Sequence, residues 1–113
     1  MFQHLADPRT ALAEMRRVTR PGGRVVVTDP DWDTLVLDLP DHVTLARKIR
    51  SFWTDSAARH GRMGRELPRL FREGGLQQID VVPAAVYLSD YRVANEGCSL
   101  EHAAELARGG GAW

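Results

Sequence analysis

The sequence predicts an α/β fold in which helices cover a small parallel sheet. The first observation is a capped amphipathic helix that leads through the turn Pro21–Gly23 into a short apolar strand, which together make an αβ unit. The second is the unbroken run Val25–Val27, which is typical of a strand buried on both faces. The third is a return to β-like sequence between Leu76 and Ser89, after two further helices.

The first helix has clear start and stop signals. Asp7 is a favourable N-cap, and Pro8 suits the first helical position. The turn Pro21–Gly23 cannot continue a helix, so the helix is predicted to end near Thr19. Its inner stripe consists of Ala11, Leu12, Met15 and Val18.

An acidic loop follows the predicted strand, which runs from about Arg24 to Thr28. Asp29-Pro30-Asp31 closes this strand, and Trp32 comes next. In open α/β sheets, ligands bind in the crevice outside the carboxyl ends of the strands. Asp29, Asp31 and Trp32 are therefore the first candidates for a functional site.

The second half of the chain contains further helices and one β-like segment. Pro68 lacks an N–H group and is predicted to lie near the first turn of its helix. The predicted elements are a helix over roughly 42–60 capped by Asp41, with Leu45, Ile49, Phe52 and Trp53 on one face, a helix at about 65–73 ended by Gly74-Gly75, a β segment over 76–89 interrupted by Pro83, and a last helix over 100–108 capped by Ser99.

Composition narrows the class of protein. The chain of 113 residues has 15 basic and 15 acidic residues and a pI near 6.9, which gives no reason to expect a nucleic-acid or membrane partner. Cys98 is the only cysteine, so an internal disulfide is impossible and a reducing cytoplasm is expected. No apolar run reaches the roughly 20 residues needed to span a bilayer.

Two stretches carry a resemblance to a known family. HLADPRTALAEMRRVTRPGGRVVVTDPDWDTL resembles the segment after the fourth strand of class I S-adenosylmethionine-dependent methyltransferases, in the type 11 methyltransferase-domain group. GRELPRLFREGGL is similar to the helix before the sixth strand of that family, and VVPAAVYLSDY to the strand itself. The resemblance covers most of residues 3–92.

The resemblance implies a partial Rossmann-like sheet with flanking helices, truncated at both ends. Residues 1–113 would form a single partial domain that corresponds to the C-terminal half of the family, and 109–113 would be a flexible tail. The family binds S-adenosylmethionine mainly through a Gly-rich loop after the first strand and an acidic residue that ends the second. This sequence has neither, so the chain alone is expected neither to bind the cofactor nor to turn over.

The resemblance also gives roles to residues near the expected substrate face. Gln3 and His4 lie in the loop that faces the methionine end of the cofactor and the acceptor, where an imidazole would serve as a general base. Asp29 and Asp31 end the fifth strand, and Trp32 would line an acceptor pocket. The alternatives are a surface histidine, an aspartate that caps the turn at Pro30, and a tryptophan that covers the core. No residue is predicted to be catalytic.

Other interpretations stay open at this point. DPDWDTL resembles the first motif of haloacid-dehalogenase-type phosphatases, a resemblance in which Asp29 would attack phosphorus. The later metal ligands of that family are missing from this sequence, and no metal site is predicted. Four arginines form either a phosphate-binding stripe or a solvated helix face offset by Glu66 and Glu73; they are Arg62, Arg65, Arg69 and Arg72.

Two functional hypotheses follow. The first is a fragment of a cytoplasmic methyltransferase that transfers a methyl group from S-adenosylmethionine to a small-molecule acceptor, whose identity the sequence does not encode in a readable form. The second is a non-catalytic module that binds a partner or associates with itself through exposed strand edges.

Overall fold

Three α-helices organise the chain in the computed structural model, which describes residues 1–90, 92, 94, 95, 101, 102 and 105. Helix α1 spans Pro8–Val18, α2 spans Val43–Ser51, and α3 spans Met63–Glu73. Short 3₁₀ turns occupy Phe2–His4 and Trp32–Thr34, and a π-helical segment, Phe52–Ala57, follows α2 directly. Within the described ranges, none of the helices has the length and apolarity needed to cross a bilayer.

The start and the end of α1 confirm the sequence prediction. The Asp7 carboxylate accepts hydrogen bonds from the backbone N–H groups of Arg9 at 3.1 Å and Thr10 at 3.2 Å, and Pro8 occupies the first helical position. The Thr10 hydroxyl adds a third bond to Asp7 at 2.6 Å. The chain then turns at Gly22, whose φ of +80° lies in the left-handed region that favours glycine.

The predicted α/β fold with a partial Rossmann-like sheet is wrong for the described residues, which contain no β-strand. Residues 24–28 and 76–89 have no regular secondary structure. Val25 and Val27 pack against the helices, but Val26 between them is 79% exposed. A strand buried on both faces needs a neighbour on each side to complete its backbone hydrogen bonds, and the described residues supply none.

The second helix also differs from the prediction. It begins one residue later than expected, with His42 instead of Asp41 at the N-cap, and the His42 side chain makes no cap hydrogen bond. After Ser51 the chain continues as the π-helical segment, so the expected helix over 42–60 is divided into two kinds of helix. Single π-helical turns of this type are rare and are often found at functional sites.

Helix α3 begins two residues before the predicted start. Pro68 is therefore the sixth residue of the helix, beyond its first turn, so its position was predicted wrongly. The helix stop is confirmed: the N–H of Gly74 bonds to the carbonyl of Leu70 at 2.8 Å, and Gly75 has a φ of +81°.

Two apolar clusters hold these elements together. The first brings the 3₁₀ turn, α1 and α3 into contact through the buried side chains of Phe2, Leu12, Met63 and Leu70, with Val25, Val27 and Leu76 among their partly buried neighbours. The second surrounds Ile49 and Phe52, onto which Leu37, Leu39, Leu45, Trp53 and Ala57 pack. The second cluster thus joins α2 to the connection that follows the acidic loop.

The predictions for the C-terminus fall mostly outside the described residues. Arg92, Ala94, Asn95, Glu101, His102 and Glu105 are helical. Ser99, Cys98, most of the predicted helix over 100–108 and the tail 109–113 are outside the described part of the chain.

Candidate functional site

Asp29, the first residue of the acidic loop, lies under the 3₁₀ turn Phe2–His4. Its side chain is fully buried and pairs with the amino group of Met1. It also accepts hydrogen bonds from the backbone N–H of Phe2 at 2.9 Å and of Gln3 at 3.5 Å. Several N–H donors around one carboxylate form a small anion nest, so Asp29 fixes the acidic loop to the start of the chain.

Gln3 connects three separate segments. Its side-chain oxygen accepts a hydrogen bond from Trp32 Nε1 at 2.6 Å, and its backbone carbonyl accepts one from the N–H of His60 at 2.9 Å. The Trp32 ring in turn stacks on Trp53, with centroids 4.4 Å apart and planes 18° from parallel. Gln3, Trp32, Trp53 and His60 therefore form one connected polar and aromatic cluster.

Gly64, the second residue of α3, allows the acidic loop to approach the start of that helix closely. The N–H of Trp32 bonds to the carbonyl of Gly61 at 2.8 Å, and the N–H of Gly64 bonds to the carbonyl of Pro30 at 3.0 Å. A Cβ atom at Gly64 would lie 2.8 Å from backbone atoms of both Asp29 and Asp31. Backbone atoms cannot move aside as a flexible side chain can, so only glycine fits at this contact.

Two arginines compensate the charge of the acidic loop. Arg65 pairs with Asp31, whose side chain is 14% exposed, and lies 3.4 Å from Asp33. Arg62 lies 3.5 Å from Asp33 and 3.6 Å from Asp55. The hydrogen bond to Asp31 is the main cause that raises the pKa of Arg65 above its usual value.

These contacts change the interpretation of the arginine stripe on α3. Only Arg69 pairs with Glu66 on the same helix, at 4.0 Å, as expected for a solvated helix face. Arg62 and Arg65 instead face the aspartates of the acidic loop. The sequence did not predict this contact, because about 30 residues separate the arginines from the aspartates.

The structure brings some of the predicted site residues together. Gln3, Asp29 and Trp32 share hydrogen bonds or a common turn, and Asp31 caps the 3₁₀ turn Trp32–Thr34 by accepting a bond from the N–H of Asp33 at 3.2 Å. His4 is exposed at the end of its own turn. The roles that the resemblance assigns to these five residues stay predictions.

The sequence did not single out His60, which belongs to this cluster, or Thr54, which follows Trp53 in the chain. Thr54 is only 5% exposed, and within the described part of the chain neither its hydroxyl nor Nε2 of His60 has a hydrogen-bond partner. Thr54 touches the turn before α3, because a Cβ atom at Gly61 would lie 2.2 Å from its carbonyl oxygen. The sequence signal in this region was the apolar face formed by Leu45, Ile49, Phe52 and Trp53, which gave Trp53 no functional role.

The geometry limits what the described residues can bind. They contain no group of three His, Cys, Asp or Glu side chains suited to a metal ion. Asp29, the nucleophile in the phosphatase interpretation, is fully buried and occupied by N–H donors. Gly22 and Gly23 close a turn on Arg20, with an N–H to carbonyl distance of 2.8 Å, and do not open a helix. These two glycines therefore do not form a loop at a helix N-terminus that could hold the cofactor.

The class of protein follows from comparison with known families. The family model described as "Methyltransferase domain" matches residues 1–27, which contain α1, the turn at Gly22 and the run Val25–Val27. The match confirms the resemblance predicted from the sequence. The chain contains part of a class I S-adenosylmethionine-dependent methyltransferase-type domain.

Two curated relatives make the comparison more specific. An uncharacterised 37.1 kDa protein in transposon TN4556 of Streptomyces fradiae is 42% identical over 107 residues, which are 95% of this chain and 31% of the relative. The O-methyltransferase cnsE of Penicillium expansum is 38% identical over 80 residues, 69% of this chain and 25% of the relative. The chain thus spans between a quarter and a third of the length of these relatives. No solved structure matches.

Proposed function

We propose that this chain is a single partial methyltransferase domain whose acidic loop faces a small-molecule acceptor. The methyl donor is S-adenosylmethionine, which the family uses, and segments outside this chain hold most of it. By analogy with the Penicillium expansum relative, which is named an O-methyltransferase, the acceptor atom is an oxygen. In such transfers positioning contributes more than a dedicated catalytic side chain.

The observation that carries the proposal is the contact between residues 1–3 and the acidic loop. The resemblance places both stretches at the substrate face, although more than 25 residues separate them in the sequence. Asp29 and Trp32 bond to residues 1–3, so the two stretches form one surface. Gly61 and Gly64 hold this surface from the other side through backbone hydrogen bonds.

On this proposal, each residue of the surface has a positioning role. Asp29 orders the turn that carries His4, and Gln3 fixes the plane of the Trp32 ring through its bond to Nε1. The arginines Arg62 and Arg65 neutralise Asp31 and Asp33, which keeps the loop from repelling an anionic acceptor. The described residues supply one wall of the site, and segments outside this chain supply the rest.

The test compares the chain alone with the chain co-expressed with the part of the Streptomyces fradiae relative that lies outside the matched region. Calorimetric titration with S-adenosylmethionine is expected to give no micromolar binding to the chain alone and measurable binding to the pair. Trp32→Ala in the pair is expected to lower methyl transfer, whereas the control Val36→Ala, at a side chain that is 85% exposed, is not. Micromolar binding to the chain alone, or equal activity of both variants, would contradict the proposal.

A second candidate function is a partner-binding or self-associating module. It is favoured by the apolar side chains that residues 81–88 leave in solvent: Val81 is 62%, Val82 87%, Val86 79% and Tyr87 91% exposed. Exposed apolar patches of this kind often mark association surfaces. Sedimentation velocity decides between the candidates, because a stable, folded monomer at all concentrations would exclude self-association.

A further inference from the structure

A cleft of about 340 Å³ lies between α1 and the end of α3, with a lining separate from the residues of the acidic loop. Its lining residues are Arg9, Ala13, Arg16, Arg17 and Gly74. The three arginines are spaced at i, i+7 and i+8, which places them on one side of α1. Three arginine side chains therefore line one concave surface.

The position of Arg16 is fixed by the end of α3. Its Nη1 donates a hydrogen bond to the carbonyl of Gly74 at 3.1 Å. A Cβ atom at Gly75 would lie 2.8 Å from Nη1 and 3.2 Å from Cζ of Arg16, so the guanidinium lies directly against the backbone of Gly75. A side chain at position 75 would displace it. The guanidinium is thus held in place before any ligand binds, which reduces the entropy lost on binding.

The cleft carries an uncompensated positive charge. Arg9 pairs with Glu73, and Arg17 pairs with Glu14. Among the described residues, Arg16 has no carboxylate partner, and the Gly74 carbonyl that accepts its hydrogen bond is neutral. Three guanidinium groups and two carboxylates leave one net positive charge in the cleft.

Favourable interaction with the α1 dipole explains only part of this arrangement. Arg16 and Arg17 lie in the last turn of the helix, where cations are stabilising. That effect needs neither a concave surface nor a guanidinium held against a glycine. The helix dipole also does not explain why Arg16 lacks a carboxylate partner among the described residues, whereas Arg9 and Arg17 each have one.

We propose that the cleft binds the phosphoryl group of a small anionic ligand, independently of the methyltransferase site. A guanidinium offers parallel N–H donors that match two oxygens of one phosphoryl group. Arg16 makes this contact, and Arg9 and Arg17, which line the same cleft, add to its positive charge. The chain has no net charge, so a small ligand fits this site better than a long polyanion.

The test is calorimetric titration of the whole chain with sodium pyrophosphate at constant ionic strength. Saturable binding is expected, with an affinity at least tenfold lower in Arg16→Gln and changed by less than twofold in the control Arg24→Gln, which removes an exposed arginine outside the cleft. Arg16→Lys is expected to restore the affinity only partly, because an ammonium group cannot form the paired contact.

Two further variants keep the proposal testable if Arg16→Gln fails to fold. Ala13→Glu places a carboxylate in the cleft without removing an arginine and is expected to abolish binding, whereas Glu73→Gln releases Arg9 and is expected to tighten it. Binding no stronger than that of chloride would overturn the proposal. Equal losses in Arg16→Gln and Arg24→Gln would overturn it as well, because they would mean that only total charge matters.

Discussion

Residues 1–75 and residues 76–90 differ in what surrounds their apolar side chains. The first region buries Phe2, Leu12 and Met63 almost completely between its helices. In the second region, residues 80–90 are all exposed, although residues 76–90 contain a larger share of β-branched and aromatic residues than the first region does. The difference shows that an apolar sequence pattern by itself does not determine whether its side chains are buried. Burial also requires another element of the fold that packs against them.

The largest expected effect tests this difference directly. Phe2→Ala removes a side chain with no exposed surface from the first cluster and is expected to lower the free energy of unfolding by about 3 to 5 kcal/mol. Tyr87→Ala removes a side chain that is 91% exposed and is expected to change it by less than about 0.5 kcal/mol. Urea unfolding followed by circular dichroism measures both. A large loss in Tyr87→Ala would mean that residues 80–90 are packed in solution.

The next effect concerns the contact between the acidic loop and α3. Gly64→Ala would place a Cβ atom 2.8 Å from two backbone atoms of the loop, and a destabilisation of about 1 to 3 kcal/mol is expected. In a helix, alanine is more stable than glycine by about 1 kcal/mol. If the loop did not touch the helix, Gly64→Ala would therefore raise the free energy of unfolding, so a stabilised variant would contradict the contact. Arg69→Ala on the exposed side of α3 serves as the control and is expected to be nearly neutral.

A smaller change, an increase in the free energy of unfolding, is expected on substitution of Thr54. Its buried hydroxyl has no hydrogen-bond partner in the described part of the chain, so Thr54→Val replaces an unpaired polar group with a methyl group of similar shape. We expect a gain in unfolding free energy of about 1 kcal/mol. Ser89→Ala in the exposed region is the control and should give no gain. A loss on Thr54→Val would indicate that the hydroxyl is bonded in solution.

The smallest effect depends on pH and belongs to the N-cap of α1. The hydrogen bond from the Thr10 hydroxyl, followed by that from the Thr10 N–H, lowers the pKa of Asp7 below its ordinary value of 3.8. Because the pKa is lower in the folded state, the stabilisation is fully present above pH 3.8 and is lost as the pH falls through the folded-state pKa. Asp7→Asn should therefore lose less stability on acidification than the unaltered chain. Identical acid unfolding curves would contradict this.

Local signals predicted the local structure well. Asp7-Pro8 and the Pro-Gly-Gly turn fix the two ends of α1 because capping and backbone geometry act within a few residues. Gly74 and Gly75 end α3 for the same reason. The sheet was predicted wrongly because the run Val25–Val27 encodes a preference for burial and contains no information about a neighbouring strand.

The candidate site was only partly predictable. A strand-end rule identified Asp29 and Trp32, but no pattern in the sequence pairs Gln3 with Trp32 or Arg65 with Asp31, since these contacts join segments about 30 residues apart. The helix predicted at about 65–73 left out Gly64, which lies inside α3 and whose missing side chain makes room for the loop. The predicted start of α3 was therefore too late, and Pro68 was placed too early in the helix.

The stacked rings of Trp32 and Trp53 give the acidic loop a spectroscopic signature of its own. Two indoles whose centroids lie 4.4 Å apart couple their electronic transitions, and this coupling produces a paired positive and negative circular dichroism band when the two transition dipoles are not parallel. Loss of this exciton signal would report detachment of the loop from the π-helical segment without any attached label. Changes at the site can thus be followed separately from the unfolding of α1 and α3.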